Sequence, residues 1–204
     1  GYNNMNWQET HFKLHDNGLF MPTIPEFMAH FMNVVNCYKS KGKNPLFDSD
    51  GNPISKDELK NIYLHMTANH MDIYGNNQPG AWTWLDAYFK EENGIMKILS
   101  EHVSQGANTQ RILSPNKSEK LESCVIEDCF VDLIFNSQHL PTEKSKTQEY
   151  KKGENIKFWF PRNEKVARFD ADSGGAYLDC GRNPADRSSS LGVYGIANAG
   201  GLAR

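Results

Sequence analysis

Residues 158–198 read FWFPRNEKVARFDADSGGAYLDCGRNPADRSSSLGVYGIAN, and a few apolar positions recur there between polar and small ones. The anchors are Trp159, Phe160, Val166, Ala167, Phe169, Ala171, Ala176, Leu178, Cys180, Leu191, Val193 and Ile196. Ala167, Phe169 and Ala171 are spaced by two, and so are Ala176, Leu178 and Cys180. That period puts each triplet on one face of a short strand and turns Arg168, Asp170, Asp172, Tyr177 and Asp179 to the other. Ser173-Gly174-Gly175 and the run from Cys180 to Ser190 carry turn and loop chemistry. Such segments cannot fold by their own burial, so the anchors must be gripped by the rest of the chain. The polar face so formed admits three readings: a solvated sheet face, a ligand-binding face, or a catalytic one.

Working outward, the 204-residue chain has the length of one domain, 1–204, large enough to bury about 70% of its unfolded surface without help from a metal or disulfide. A hydrophobic content of 38% argues against disorder, and no apolar run reaches the length of a membrane helix. A soluble protein with no membrane insertion is expected. The formal net charge of −3, with no basic stripe, removes the electrostatic term that dominates nucleic-acid binding. Cys37, Cys124, Cys129 and Cys180 are too few and too scattered for a disulfide framework and read as buried free thiols.

Upstream, Thr10–Leu14 suggests a short strand before the Asp16-Asn17-Gly18 turn. Thr23-Ile-Pro-Glu26 has capping-box spacing, and Phe27, Phe31, Val34, Val35 and Tyr38 recur at three and four, which predicts a helix over 24–40. Ser55-Lys-Asp-Glu58 opens a second helix, to about Asn69. Asp48, Asp50 and Asn52 imitate the start of a calcium loop. Counted from Asp48, however, the sixth position is Pro53 and the twelfth Leu59, so a polar turn is the better reading. His65 and His70 stand five apart, on different sides of a helix, and do not make a zinc pair with Asp72. No metal and no cofactor is expected.

Trp84–Phe89 reads as a turn or short helix leading into an extended segment, followed by a hairpin turn at Glu91–Gly94 and a strand over 95–103. Residues 104–119 read as loop, 121–133 as two short strands with a tight turn, 136–153 as a solvated linker, and 156–160 as a strand. Two helices followed by short strands and long loops define an α+β arrangement.

The frame Val166-Ala167-x-Phe169-x-Ala171-x-Ser173, Ala176-x-Leu178-x-Cys180, Pro184 and Ser190-Leu191-Gly192-Val193 resembles the C-terminal variable region of target proteins of diversity-generating retroelements. Val193 and Tyr194 stand where the wider fold has Phe and Arg. Met21–Phe27, Trp84–Phe89, Cys124–Leu133 and Leu140-Pro-Thr142 resemble the scaffold of an archaeal or candidate-phylum branch of that group. The resemblance implies a C-type lectin-like fold, related to that of formylglycine-generating enzymes, with two N-terminal helices, short antiparallel strands and long ordered loops. It also implies a ligand-binding region over 158–198 whose interspersed positions are rewritten by mutagenic copying. On this chain those positions are Arg168, Asp170, Asp172, Gly174, Gly175, Tyr177, Asp179, Gly181, Arg182, Asn183, Ala185, Asp186, Arg187 and Tyr194.

The expected function is therefore non-enzymatic recognition of a protein or peptide epitope by a monomer, at a cell surface or secreted. Tyr and Arg deliver contact area and directional hydrogen bonds, and mixed Asp and Arg favour a polar epitope. The alternatives are a calcium-dependent carbohydrate-binding lectin and a formylglycine-generating-type enzyme. Against the enzyme, Cys180 has no cysteine neighbour in its own segment and its parity turns it inward; no Ser-His-acid order stands out either.

Overall fold

The computed structural model describes residues 4–48, 50–67, 80–106, 110–172, 174–187 and 195–197. In chain order these form α1 (Trp7–Asp16), β1 (Leu19–Phe20), α2 (Ile24–Lys39), α3 (Lys56–Met66), β2 (Trp82–Glu92) and β3 (Ile95–Gln105). There follow β4 (Ile112–Lys120), β5 (Cys129–Asp132), β6 (Asn155–Trp159), β7 (Lys165–Asp172), β8 (Gly175–Arg182) and β9 (Ile196–Ala197). Seven strands make an open sheet in the order β4-β3-β2-β7-β8-β6-β5, and β1 pairs with β9 in a small second sheet. Pairing is antiparallel except between β6 and β8, which run parallel. This is a mixed α+β fold, neither a closed barrel nor a solenoid. No described helix is long and apolar enough to cross a membrane.

β7 lies fourth of seven, and its alternation sets the two faces of the sheet. Ala167, Phe169 and Ala171, with Ala176, Leu178 and Cys180 of β8, are all buried in the main core. α2 supplies the other wall. Thr23 caps it through the expected box with Glu26, and Pro25 occupies the first turn, where its missing N–H costs nothing. Phe27 and Phe31, one turn apart, bring their rings to 4.8 and 5.4 Å from Phe169. Tyr63 and Met66 of α3 join the same core, with Tyr63 stacked on Tyr38 at 3.9 Å.

α1 packs on the opposite face, against a smaller cluster of Trp7, Leu14, Met21, Trp84 and Val166. The chain thus has three helices among the described residues rather than two, and 10–14 is helical rather than extended. Asn6 and Glu9 form a capping box, and Trp7, Thr10, His11 and Leu14 bury one helical stripe. Two of those four are polar, which hides the stripe from a count of apolar residues.

Four more expectations are corrected. Trp84–Phe89 lies within strand β2, not a turn or helix; both parities are apolar because α2 covers one face and α1 the other. Residues 112–120 form the edge strand β4 instead of loop, its polar side chains exposed on both faces and its backbone paired to β3 on one side only. Of the two strands expected over 121–133, Cys129–Asp132 alone forms one, although Val125 is buried. The 136–153 segment is no plain solvated linker, since Leu140 is fully buried and bridges tie Phe135 to Pro141 and Val131 to Lys144.

The hairpin turn falls where expected, with Asn93 and Gly94 at φ of 53° and 75°, as a two-residue turn between right-twisted strands requires. Asp48 closes the polar turn by accepting from the N–H groups of Asp50 and Asn52. All four cysteines are free; Cys37 and Cys180 are buried, whereas Cys124 and Cys129 are partly exposed.

Phe169→Ala should cost about 3–5 kcal/mol, the range for emptying an aromatic site in a packed core. Urea unfolding followed by tryptophan fluorescence measures it; a loss below about 1 kcal/mol would mean that the α2–β7 contact does not hold the sheet.

Candidate functional site

Directly opposed residues of neighbouring strands share a face. Trp84 lies opposite Arg168 and Trp82 opposite Asp170 across β2 and β7; Arg168 lies opposite Asp179 and Asp170 opposite Tyr177 across β7 and β8. On β6, Lys157 is level with Tyr177 and Trp159 with Asp179. One side of the sheet therefore gathers Trp82, Trp84, Arg168, Asp170, Tyr177, Asp179, Lys157 and Trp159. α1 covers the Trp84 end, and the Trp84 indole N–H reaches the Met5 carbonyl at 3.4 Å. Trp82, Lys157, Trp159 and Tyr177 stay part-exposed.

Arg168 is the centre of this face. Its guanidinium lies 4.9 Å over the Trp82 ring, pairs with Asp170 at 2.8 Å through Nη2, and stands 3.5 Å from Asp179 Oδ2 through Nε. Arg182 Nε approaches the same Asp179 oxygen at 3.9 Å and Arg182 Nη2 pairs with Asp186 at 2.8 Å. Arg168 Nε and Arg182 Nε are buried and make no hydrogen bond among the described residues, so both face the shared Asp179 carboxylate at ion-pair distance only. Beside them Trp159 and Tyr177 bring their rings to 5.3 Å, with Lys157 4.8 Å above Trp159. At the lower end Arg162 bonds Asp128 at 2.6 Å and lies over Phe160.

The parity expectation holds for direction but not for solvation. Asp170 and Asp179 are on the outer face yet only 5% and 6% exposed, because Trp82, Arg168 and their own strand neighbours close over their carboxylates. Burial, foremost, raises the Asp170 carboxyl to about 6 against the pull of Arg168. Burial likewise raises Asp179 and holds Arg168 below its ordinary value. The Tyr177 phenol is pushed up by burial and by its bond to Asp172. Gly175 is buried, at φ of +133° and packed on Tyr150, where a Cβ would meet the ring at 2.8 Å; it is a packing glycine rather than a contact residue.

The other expected positions divide. Asp172 and Gly174 are exposed beside Tyr177, the Asp172 carboxylate accepting the Gly174 N–H at 2.7 Å. Gly181 and Arg182 end β8, and Asn183 turns the chain by accepting from Ala185. Ala185 and Arg187 leave the face. Pro184 accepts the Trp7 N–H at 3.1 Å, Arg187 pairs with Glu9 on α1, and Ala185 lines a separate cleft of about 610 Å³ with Trp7, Tyr88 and His102. Tyr194, like the anchors Leu191 and Val193 and the pair His70 and Asp72, lies outside the described residues. Trp159 and Val166 are not core anchors with Phe169: Trp159 stands on the open face and Val166 under α1.

Sequence reasoning missed Trp82, Lys157, Arg162 and Asp128. Lys157 had a usable signal, since it alternates with Phe158. Trp82 and Asp128 arrive through strand pairing and a loop, which leave no local mark. No family model, no curated protein and no solved structure matches the chain.

Asp170 takes up a proton near pH 6 when folded and near 4 when unfolded. Between those values the folded chain holds the additional proton, so this carboxyl's contribution falls as pH rises from about 4 to about 6 and is constant above. The slope should amount to at most about 3 kcal/mol. Urea midpoints measured across that window should flatten in Asp170→Asn; an unchanged slope would place the titration elsewhere.

Proposed function

We propose that this chain is a ligand-recognition protein of the kind diversified by a retroelement, with a C-type lectin-like frame, and that its ligand is a polar protein or peptide epitope. The observation that carries this reading is the division of β7 and β8. One parity is locked into the α2 core, and the other joins Trp82, Trp159 and Lys157 in one aromatic and charged face that α1 leaves open. A merely solvated sheet face has no need of part-exposed tryptophans with cations stacked on them. Trp, Tyr and Arg are the residues that dominate binding energy at interfaces.

The face also suits replacement. Side chains at Asp172, Tyr177, Arg182 and Asp186 can change without opening the core, because their strand neighbours supply the burial. A calcium lectin reading is disfavoured by Arg168, whose guanidinium sits between Asp170 and Asp179 where a cation would have to bind. An oxidase reading is disfavoured by Cys180. Although Cys124 is near enough to disfavour its ionisation further, full burial, the largest cause, keeps its thiol protonated, and the thiolate is the reactive form.

Panning a displayed peptide library on the intact chain supplies the probe. Peptides enriched on the wild type should lose at least about tenfold in affinity against Tyr177→Ala and Arg182→Ala, a cost of about 1.4 kcal/mol each. Melting temperatures should stay within about 2 °C, as for surface changes in a chain of this length. Enriched peptides that bind both variants like the wild type would remove the site. On the genomic side, an imperfect repeat of the 3′ coding segment that differs at adenines, near a reverse-transcriptase gene, is the expected neighbourhood.

A further inference from the structure

Between α1 and the β2–β3 hairpin, three chemically coherent side chains meet in the interior. His11 from α1, Asp86 from β2 and His102 from β3 are all buried, and one ligand atom from each lies within 4.8 Å of the other two. Asp86 Oδ1 stands 2.5 Å from His102 Nδ1 and 3.6 Å from His11 Nε2, while its Oδ2 accepts the His102 backbone N–H at 2.9 Å.

The backbone is irregular at this point on both strands. The β2–β7 register shifts between Leu85 and Tyr88, leaving Asp86 and Ala87 outside the ladder, and Glu101, next to His102, has φ of 55°. Bulges of this sort re-aim side chains and concentrate beside functional sites. The freed Asp86 N–H is taken by the Pro22 carbonyl at 2.8 Å, so the bulge is held from outside the sheet.

His11 is the anomaly. It is fully buried, and neither ring nitrogen has a hydrogen-bond partner among the described residues. A neutral imidazole carries one donor and one acceptor, and native interiors rarely leave both idle. Trp7 packs edge-on against both imidazoles, at 4.4 Å from His11 and 5.0 Å from His102.

We propose that His11, Asp86 and His102 form a divalent transition-metal site of the zinc class, which ties α1 to the bulged β2–β3 hairpin. Two imidazoles and one carboxylate, without sulfur, suit zinc better than calcium or magnesium, which demand oxygen donors, or copper(I), which selects thiolate and thioether. Ligand atoms about 2.0–2.1 Å from a tetrahedral zinc stand roughly 3.3 Å apart. The separation of His11 Nε2 from Asp86 Oδ1 is already near that value, the His102–Asp86 contact must open by less than about an ångström, and the two imidazoles, within 4.8 Å, must close by up to about 1.5 Å.

The proton balance is simple. Ligation through Nδ1 requires the His102 tautomer with its proton on Nε2, and the ion then lies between Nδ1 and the Asp86 carboxylate. The ring stays neutral, and Asp86 supplies one negative charge. His15, 5.9 Å from His11, is a neighbour rather than a ligand: its Nδ1 accepts the Ser104 N–H at 3.2 Å, which puts its proton on Nε2. Three protein donors leave one position for water.

The test uses the full chain without an affinity tag, stripped with EDTA and titrated with zinc chloride. One equivalent per chain should bind by calorimetry and remain after gel filtration, and cobalt(II) should give the visible bands of a four- or five-coordinate ion. His11→Gln and His102→Gln should each abolish stoichiometric uptake, while His30→Gln and His139→Gln keep it. No retained zinc and no cobalt bands in the wild type would overturn the site, leaving a buried proton-sharing pair. So would normal uptake in either folded ligand variant. Should both variants fail to fold, imidazole ¹⁵N shifts of the wild type on zinc addition decide, with shifts confined to other histidines overturning the assignment. Peptide binding at the open face is read separately, so either proposal can fail alone.

Discussion

The packing of Phe169 against Phe27 and Phe31 is the constraint on which the rest of the structure depends. It fixes which side of the central strand looks at α2, and hydrogen bonding carries that choice outward to β2 on one flank and β8 on the other. A slip of one residue along β7 would exchange every inward side chain for an outward one, placing Arg168 and Asp170 in the core. Nothing buried around Phe169 could pair them. The identity of the open face is thus settled by a contact on the opposite side of the sheet.

That open face joins electrostatics to shape. Arg168, flanked by Asp170 and Asp179 and resting on Trp82, is a charge cluster most of whose members are hidden, so its groups are costly to separate and hold one another in place. Around it Tyr177, Trp159 and Arg182 are more open. A stiff ionic centre with looser aromatic and guanidinium arms differs from the uniformly wet surface that alternation alone suggests.

The legible parts of the molecule were those governed by local periodicity. The α2 helix, its Thr23–Glu26 cap, the Asn93-Gly94 turn and the inward triplets of β7 and β8 all declare themselves within a dozen residues. The illegible parts are governed by what lies across the sheet. β2 resembled a helix start because helices cover both of its faces, and β4 resembled a loop because, past Leu113 and Ser114, its side chains are exposed on both faces. The burial of Asp170 required knowing that Trp82, some ninety positions away in sequence, arrives beside it. His11, Asp86 and His102 sit on three elements with no shared motif, and Asp86 and His102 reach their meeting place through a bulge and a left-handed residue, features without a sequence period.

β4, the outermost strand on one flank, has a further consequence. Its free edge carries Pro115, which offers no N–H, and alternating charges at Lys117, Glu119 and Lys120, while the opposite flank at β5 is bridged by the segment around Lys144. Copies crowded side by side thus find no welcoming border on which to extend one another into a ribbon. With both margins protected in this way, growth of the sheet by backbone pairing between copies is disfavoured, and the sheet's extent is set within one chain.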